Sequence, residues 1–257
     1  MSILGDSIST YTGISNDSEN TNSTIQDNLV WYTGSTSDVT SADQTWWMQL
    51  ANNTGMNLLV NNSSGGARVV SDRPESGKET VTAAYKTRCV QLHDDTGNNA
   101  GTNPDVIAIM IGTNDYYIEN ASGSVTDIDW DSLITDNGDG TFNYATPTTF
   151  AECYAIMLHK MSVEYENADI FACSLTMRSL SGSQITKFAS FNQVIIDLCN
   201  SDMFKNRVVL VDLYNNCGIT LSNINTYTAD GVHLKQTGMD KVTDCIIEAM
   251  VEYYLNK

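Results

Sequence analysis

Five short, largely apolar runs, Ser2–Leu4, Met56–Val60, Val106–Ile111, Ile170–Cys173 and Val208–Leu213, punctuate this chain at wide intervals. Runs this short, with little polar alternation, read as strands buried on both faces. Between them, apolar residues recur at helical spacing. One helix is read from Trp46, Trp47 and Leu50, ending before Gly55, and a second from Val81, Ala84, Tyr85 and Cys89. A third carries Phe150, Cys153, Tyr154, Met157, Leu158 and Met161, and a fourth Phe188, Phe191, Val194, Ile195 and Leu198. The last carries Val242, Cys245, Ile246, Ala249, Met250 and Tyr253. Such alternation forces layers: a central, mostly parallel five-stranded sheet with helices on both faces. The expected class is α/β, a single doubly wound three-layer sandwich over residues 1–257. In such sheets, ligands gather at the carboxyl ends of the strands.

Two stretches stand outside this alternation. Residues 14–44, dense in Asn, Ser, Thr and Asp, read as a long loop after the first strand. Residues 119–147 hold Asn137-Gly138-Asp139-Gly140 between alternating flanks, which signals a β-hairpin insertion. Asp136, Asn137 and Asp139 lack the spacing of an EF-hand calcium loop. They are read as a plain turn, and no metal is expected.

At 257 residues, 41% of them apolar, the chain can bury one large core. No run approaches the roughly 20 apolar residues of a membrane span. Thirty-one acidic against 13 basic residues give a net charge of −18. That field repels phosphate backbones and anionic lipid, so neither nucleic acid nor a membrane is an expected partner. The six cysteines (89, 153, 173, 199, 217 and 245) show no C-x-x-C pair and read as small buried hydrophobes. No signal peptide follows Met1. The composition, rich in Asn, Thr, Ser and Gly and poor in Lys, is that of many exported bacterial proteins. An extracellular or cell-surface bacterial location is therefore expected, with a leader or neighbouring domain removed from the N-terminus; a cytoplasmic one stays open. Sequons at Asn16, Asn22, Asn52, Asn61, Asn62 and Asn120 point the same way, since glycans at Asn61 and Asn62 would crowd the polar segment after the second strand, where ligands are expected.

Polar segments follow the strands. Gly5-Asp6-Ser7 comes after the first, Asn61–Arg68 (NNSSGGAR) after the second, Gly112-Thr113-Asn114-Asp115 after the third, and Asp230-Gly231-Val232-His233 precedes the last helix. Together they suit acyl transfer. A serine hydroxyl needs a neighbouring base to become a nucleophile, and the chain has three histidines. His93 reads as a helix-end partner of nearby carboxylates, and His159 as solvated on the polar side of its helix. His233 has Asp230 one turn before it, placed to fix its tautomer and leave Nε2 facing Ser7. Donors for an oxyanion are available from the Ser7 N–H, a glycine of the Gly65-Gly66 pair and the Asn114 amide.

These four segments resemble, in content and order, the four signature blocks of the SGNH, or GDSL-type, hydrolases, and span residues 5–233. The resemblance implies a flavodoxin-like fold, with Ser7 as nucleophile, His233 as base, Asp230 as its support and Asn114 as an oxyanion donor. Counted from Asn61, the glycine block implies Gly66 rather than Gly65 in the oxyanion hole. The Gly-x-Ser-x-Gly elbow of α/β-hydrolases would require glycine at position 9, where Ser9 stands.

The expected activity is that of a serine esterase without cofactor, working through an acyl-enzyme on small acyl esters, above all acetyl groups of carbohydrates. A lipase, lysophospholipase or thioesterase is the alternative within the family. A carbohydrate-binding module with a vestigial site is the alternative outside it. Tyr11, Trp31, Tyr32, Tyr116 and Tyr117 are candidates for substrate contact, with core packing an equal reading.

Overall fold

The computed structural model describes residues 1–14, 30–74, 80–94, 101–117 and 121–257. The sequons at Asn16, Asn22 and Asn120, and residues 15–29 of the expected loop, lie outside them. In chain order the strands are β1 (Ser2–Gly5), β2 (Val60–Ser63), β3 (Val106–Met110), β4 (Ile134–Asp136), β5 (Phe142–Tyr144), β6 (Asp169–Cys173) and β7 (Val208–Val211). The helices are α1 (Trp46–Thr54), α2 (Trp130–Leu133), α3 (Phe150–Glu164), α4 (Ser183–Asn200), α5 (Leu213–Asn216), α6 (Ile224–Tyr227) and α7 (Gln236–Asn256).

Five strands form one parallel sheet in the order β2-β1-β3-β6-β7. The chain winds from β1 to β2 at one edge, then crosses back to β3 on the other side of β1. The direction of winding therefore reverses between β1 and β3, the crevice where ligands bind in such sheets. Both faces of the sheet are buried. Ile3, Ala108, Met110, Phe171 and Val211 pack with Trp46, Trp47, Leu50, Val242 and Ile246 of α1 and α7. Leu4, Ile107, Ile109, Ile170 and Ala172 pack on the opposite face with Phe150, Met157, Phe188 and Phe191 of α3 and α4. Neighbours such as Ile3 and Leu4 point to opposite layers, as the pleat requires. Each of the larger aliphatic and phenylalanine side chains contributes about 1.5–3 kcal/mol by leaving water.

Helix ends follow local chemistry. Thr149 and Glu152 form a capping box at the start of α3, and α1 stops at Gly55 in the left-handed region (φ 72°). The hairpin expected at Asn137–Gly140 is β4–β5, antiparallel. Its carboxylates serve the turn: Asp136 Oδ1 accepts from Gly138 N–H (2.7 Å) and Asp139 Oδ1 from Thr141 N–H (3.0 Å).

Two expected elements differ. The second strand is Val60–Ser63, not Met56–Val60. Tertiary hydrogen bonds let Asn61 and Asn62 occupy a buried strand: Asn61 Nδ2 donates to Ser9 O (3.0 Å), while Asn62 Oδ1 accepts from Arg88 Nε (3.1 Å) and its Nδ2 donates to Gln91 O (3.2 Å). At 4% exposure each, neither asparagine is open to a glycan. The helix expected around Val81–Cys89 is instead a run of turns ending in a 3₁₀ turn, Arg88–Val90. Its backbone bonds run outward, with Ala84 N–H donating to Arg68 O and Ala83 N–H to Asp72 Oδ1. Tertiary hydrogen bonds displace the helical ones there. The cysteines are free thiols, five buried and Cys245 partly so.

Candidate active site

Ser7 opens a 3₁₀ turn, Ser7–Ser9, at the carboxyl end of β1, and Asp6 caps that turn by accepting from Ile8 N–H (3.0 Å). Gly5 is required by the crowding beneath: a Cβ there would stand 2.6 Å from Ser9 Oγ and 2.7 Å from Ser63 Oγ. Burial pushes the Asp6 carboxyl up to about 7; the Ile8 N–H and the nearby cations of Arg88 and Arg178 pull it down, while Asp115 adds to the rise.

The far end of the chain completes the arrangement. Thr228 Oγ1 accepts from Gly231 N–H (3.1 Å), closing a turn in which Asp230 Oδ1 accepts from the N–H groups of Val232 (3.0 Å) and His233 (2.8 Å). Asp230 Oδ2 lies 2.8 Å from His233 Nδ1, and His233 Nε2 lies 2.9 Å from Ser7 Oγ. A carboxylate can only accept, so Nδ1 carries the imidazole proton. Nε2 is left with its lone pair toward the Ser7 O–H. Burial raises the Asp230 carboxyl, but the His233 backbone and ring and the Val232 N–H outweigh it, and its pKa is lowered. At His233, by contrast, burial prevails and lowers the pKa against the opposing pull of Asp230, and Arg178 adds to the lowering.

The donor side is built by the ends of β2 and β3. Asn114 Nδ2 donates to Ala67 O (3.0 Å), which ties the turn after β3 to the glycine turn after β2. Asp115 beneath it, its carboxyl pushed up to about 7 by burial, accepts from Val69 and Val70 N–H. Gly66 adopts φ 71°, and a Cβ there would collide with the Arg73 guanidinium, which donates to Gly65 O. The positive φ is what calls for glycine at position 66, since the Arg73 side chain could shift away from a Cβ.

The five candidate aromatics separate clearly. Tyr32 and Tyr116 are core residues, at 0% and 4% exposure, and offer a substrate no surface. The Tyr32 hydroxyl donates to Leu234 O (3.0 Å), and Tyr116 packs edge-on against Phe188. Tyr11 is half-buried against the α1–α7 layer. Tyr117 is open, at 63% exposure. Trp31 stacks on the His233 ring, centroids 3.7 Å apart and planes 11° from parallel. The Trp31 backbone N–H donates to Thr10 Oγ1 (2.9 Å), and that hydroxyl donates to Ser7 O (2.8 Å). One short path thus joins the serine's own turn to the face of the imidazole.

The other histidines sit elsewhere than expected. His93 lies beside the Tyr165 hydroxyl (3.3 Å) rather than at a helix end. His159 is half-buried beneath the hairpin, bonded to the Tyr144 hydroxyl (3.0 Å) with Phe142 edge-on to its ring. Arg178, which pattern reading missed, is 2% exposed and within electrostatic reach of Asp6, Asp230 and His233. The only signal in the sequence is its place, five residues after β6 in another loop at a strand's carboxyl end.

A cavity of about 990 Å³ lined by Met1, Leu58, Val106 and Met250 opens at the amino ends of the strands, the opposite end from Ser7. Among the described residues, no helix is long and apolar enough to cross a membrane.

A general base at this position must be neutral to accept a proton, so with His233 in that role activity is expected to fall as pH drops through its folded pKa. The acid limb of kcat/KM is expected at a midpoint below 6.5, the ordinary imidazole value. A midpoint at or above 6.5 in a pH–rate profile would contradict the burial described here.

A family profile described as GDSL-like Lipase/Acylhydrolase matches residues 1–250. Among solved structures, a GDSL-like lipase from Bacteroides ovatus is similar at TM-score 0.65 and 23% identity, covering 98% of this chain and 97% of that one. One from Bacteroides uniformis follows at 0.61 and 20%, covering 97% and 94%. A carbohydrate esterase family 3 protein from Talaromyces cellulolyticus is similar at 0.56 and 14%, covering 99% and 97%. A search of curated proteins gives no match.

Proposed function

The chain belongs to the GDSL-like lipase/acylhydrolase family, and from that premise we propose that this serine ester hydrolase removes small acyl groups, acetyl above all, from carbohydrate esters. The observation that carries the mechanism is the unbroken path Ser7 Oγ–His233 Nε2 and His233 Nδ1–Asp230 Oδ2, at 2.9 and 2.8 Å. Ser7 Oγ attacks the ester carbonyl while His233 takes its proton. The tetrahedral intermediate then collapses, His233 protonates the departing alcohol, and the acyl group stays on Ser7. Water, deprotonated by His233, attacks that acyl-enzyme. The second intermediate releases the acid, and the proton returns to Ser7. Asp230 holds the ring and offsets the charge of the imidazolium without becoming protonated. The Ser7 N–H, the Gly66 N–H and the Asn114 amide bind the oxyanion in both intermediates.

Two features support a sugar on the alcohol side. Tyr117 is an exposed ring on the same turn as Asn114, suited to stacking on a sugar face. Carbohydrate esterases are also among the proteins of similar fold. The net charge of −18 disfavours an anionic lipid surface.

The test is a p-nitrophenyl series of acetate, butyrate and octanoate, followed by acetate release from a panel of acetylated glycans. Acetate is expected to be cleaved fastest in the series, with release from at least one glycan. Faster cleavage of octanoate would sink the acetyl reading and favour a lipase. Acetyl preference without release from any glycan would sink the carbohydrate reading alone.

A further inference from the structure

Arg178 is a buried cation with weak compensation. One guanidinium nitrogen, Nη1, donates to Thr113 O (3.0 Å), and Nη2 donates to the Tyr117 hydroxyl. The group lies over the Tyr117 ring at 4.2 Å and near the Tyr116 ring at 5.4 Å. Its Nε is buried without a hydrogen-bond partner, and among the described residues it forms no ion pair. Burying a charge against a carbonyl, a phenol and two rings costs stability that an apolar side chain would not.

The two groups it grips lie on either side of Asn114, in the turn Thr113–Tyr117. The next residue reaches the other half of the site. Ser179 N–H donates to Gly231 O (2.7 Å), inside the turn that carries Asp230 and His233. A single dipeptide thus holds the oxyanion turn by its side chain and the acid–base turn by its backbone.

We propose that Arg178 is a positioning residue for ester hydrolysis, its guanidinium fixing the Asn114 turn against the Asp230–His233 turn. The inference rests on the roles given above to Asn114 and His233. Its charge acts on the same site. The charged and titratable groups facing His233 are Asp230 on its own turn, Arg178 from the loop after β6, and Asp6 and Tyr32 beyond. Tyr32 stays neutral because burial raises its phenol well above its ordinary value. Of these groups, Arg178 is the cation that disfavours the imidazolium. Its removal therefore moves the acid limb of activity to higher pH.

The experiment compares Arg178→Met, Arg178→Lys and Asn114→Ala with the parent, reading kcat, KM and the pH profile on p-nitrophenyl acetate, with melting temperature as the folding control. Arg178→Met is expected to lose about 10- to 100-fold in kcat with KM within about threefold, since displacing a catalytic group by about 1 Å costs on that scale. Its acid limb shifts upward. Arg178→Lys keeps a charge but not the planar fork, so kcat falls by about 5- to 10-fold while the acid limb stays in place. A loss confined to KM would make Arg178 a substrate-binding residue and overturn the proposal, as would a folded Met variant with unchanged kcat. Where Arg178→Met does not fold, parental kcat in Arg178→Lys overturns it. A silent Asn114→Ala would instead overturn the oxyanion assignment on which the inference stands.

Discussion

Replacing Ser7 by alanine is expected to lower turnover of p-nitrophenyl acetate by about 10⁴- to 10⁶-fold, and replacing His233 by alanine by a similar factor. The scale follows from geometry. With Nε2 2.9 Å from Oγ, the imidazole is placed to take the hydroxyl's proton during an attack. Without either partner, only positioning and the oxyanion donors remain. The two effects should not add, because nucleophile and base act as one unit, so the Ser7→Ala/His233→Ala double variant should be no slower than the worse single one. The Ser7 side chain is small, and its Oγ lies against the His233 imidazole. Circular dichroism of Ser7→Ala should therefore match the parent. A Ser7→Ala enzyme within tenfold of the parent, after contaminating esterase is excluded, would mean that another nucleophile does the chemistry.

Removing the Asn114 amide is expected to cost about 10²- to 10³-fold in kcat, with little change in KM. An oxyanion donor is used fully only when the carbonyl oxygen becomes charged, so the loss falls on the transition state. The side chain also donates to Ala67 O at 3.0 Å, and Asn114→Ala leaves that carbonyl without this donor. The structural cost is about 0.5–1.5 kcal/mol, which a thermal melt can read separately from kinetics. A rise in KM at constant kcat would show that Asn114 binds the ground-state ester instead.

Much of this was legible beforehand, for a physical reason. A parallel strand is buried on both faces, so its apolar run stands out whatever surrounds it. Four of the five sheet strands lie where those runs are. β2 does not, because a strand next to β1 can carry Asn61 and Asn62 when Ser9 O and Arg88 bond to their side chains, and no local pattern encodes partners 26 and 52 residues away. The stretch Val81–Cys89 failed for the same reason. Its helical spacing is real, but its N–H groups are taken by Arg68 and Asp72.

The site divides along the same line. The meeting of Ser7, Asp230 and His233 is legible in the sequence because each sits in a short polar block at a strand end or before a helix, where the sheet's topology brings such blocks together. The aromatics were not readable. Tyr116 and Tyr117 are neighbours in sequence, yet one is core and the other open to solvent. Which way each ring points is set by what packs behind it.

By itself, the sequence determined the doubly wound α/β class, the four polar blocks and the chemistry they can perform, since these depend on residue type and on period. The tertiary structure alone decided that Trp31 lies flat on the His233 imidazole and that Arg178 grips both sides of Asn114. Both come from loops, where no periodicity constrains a side chain. Their places are set only when strands far apart in the chain are laid side by side.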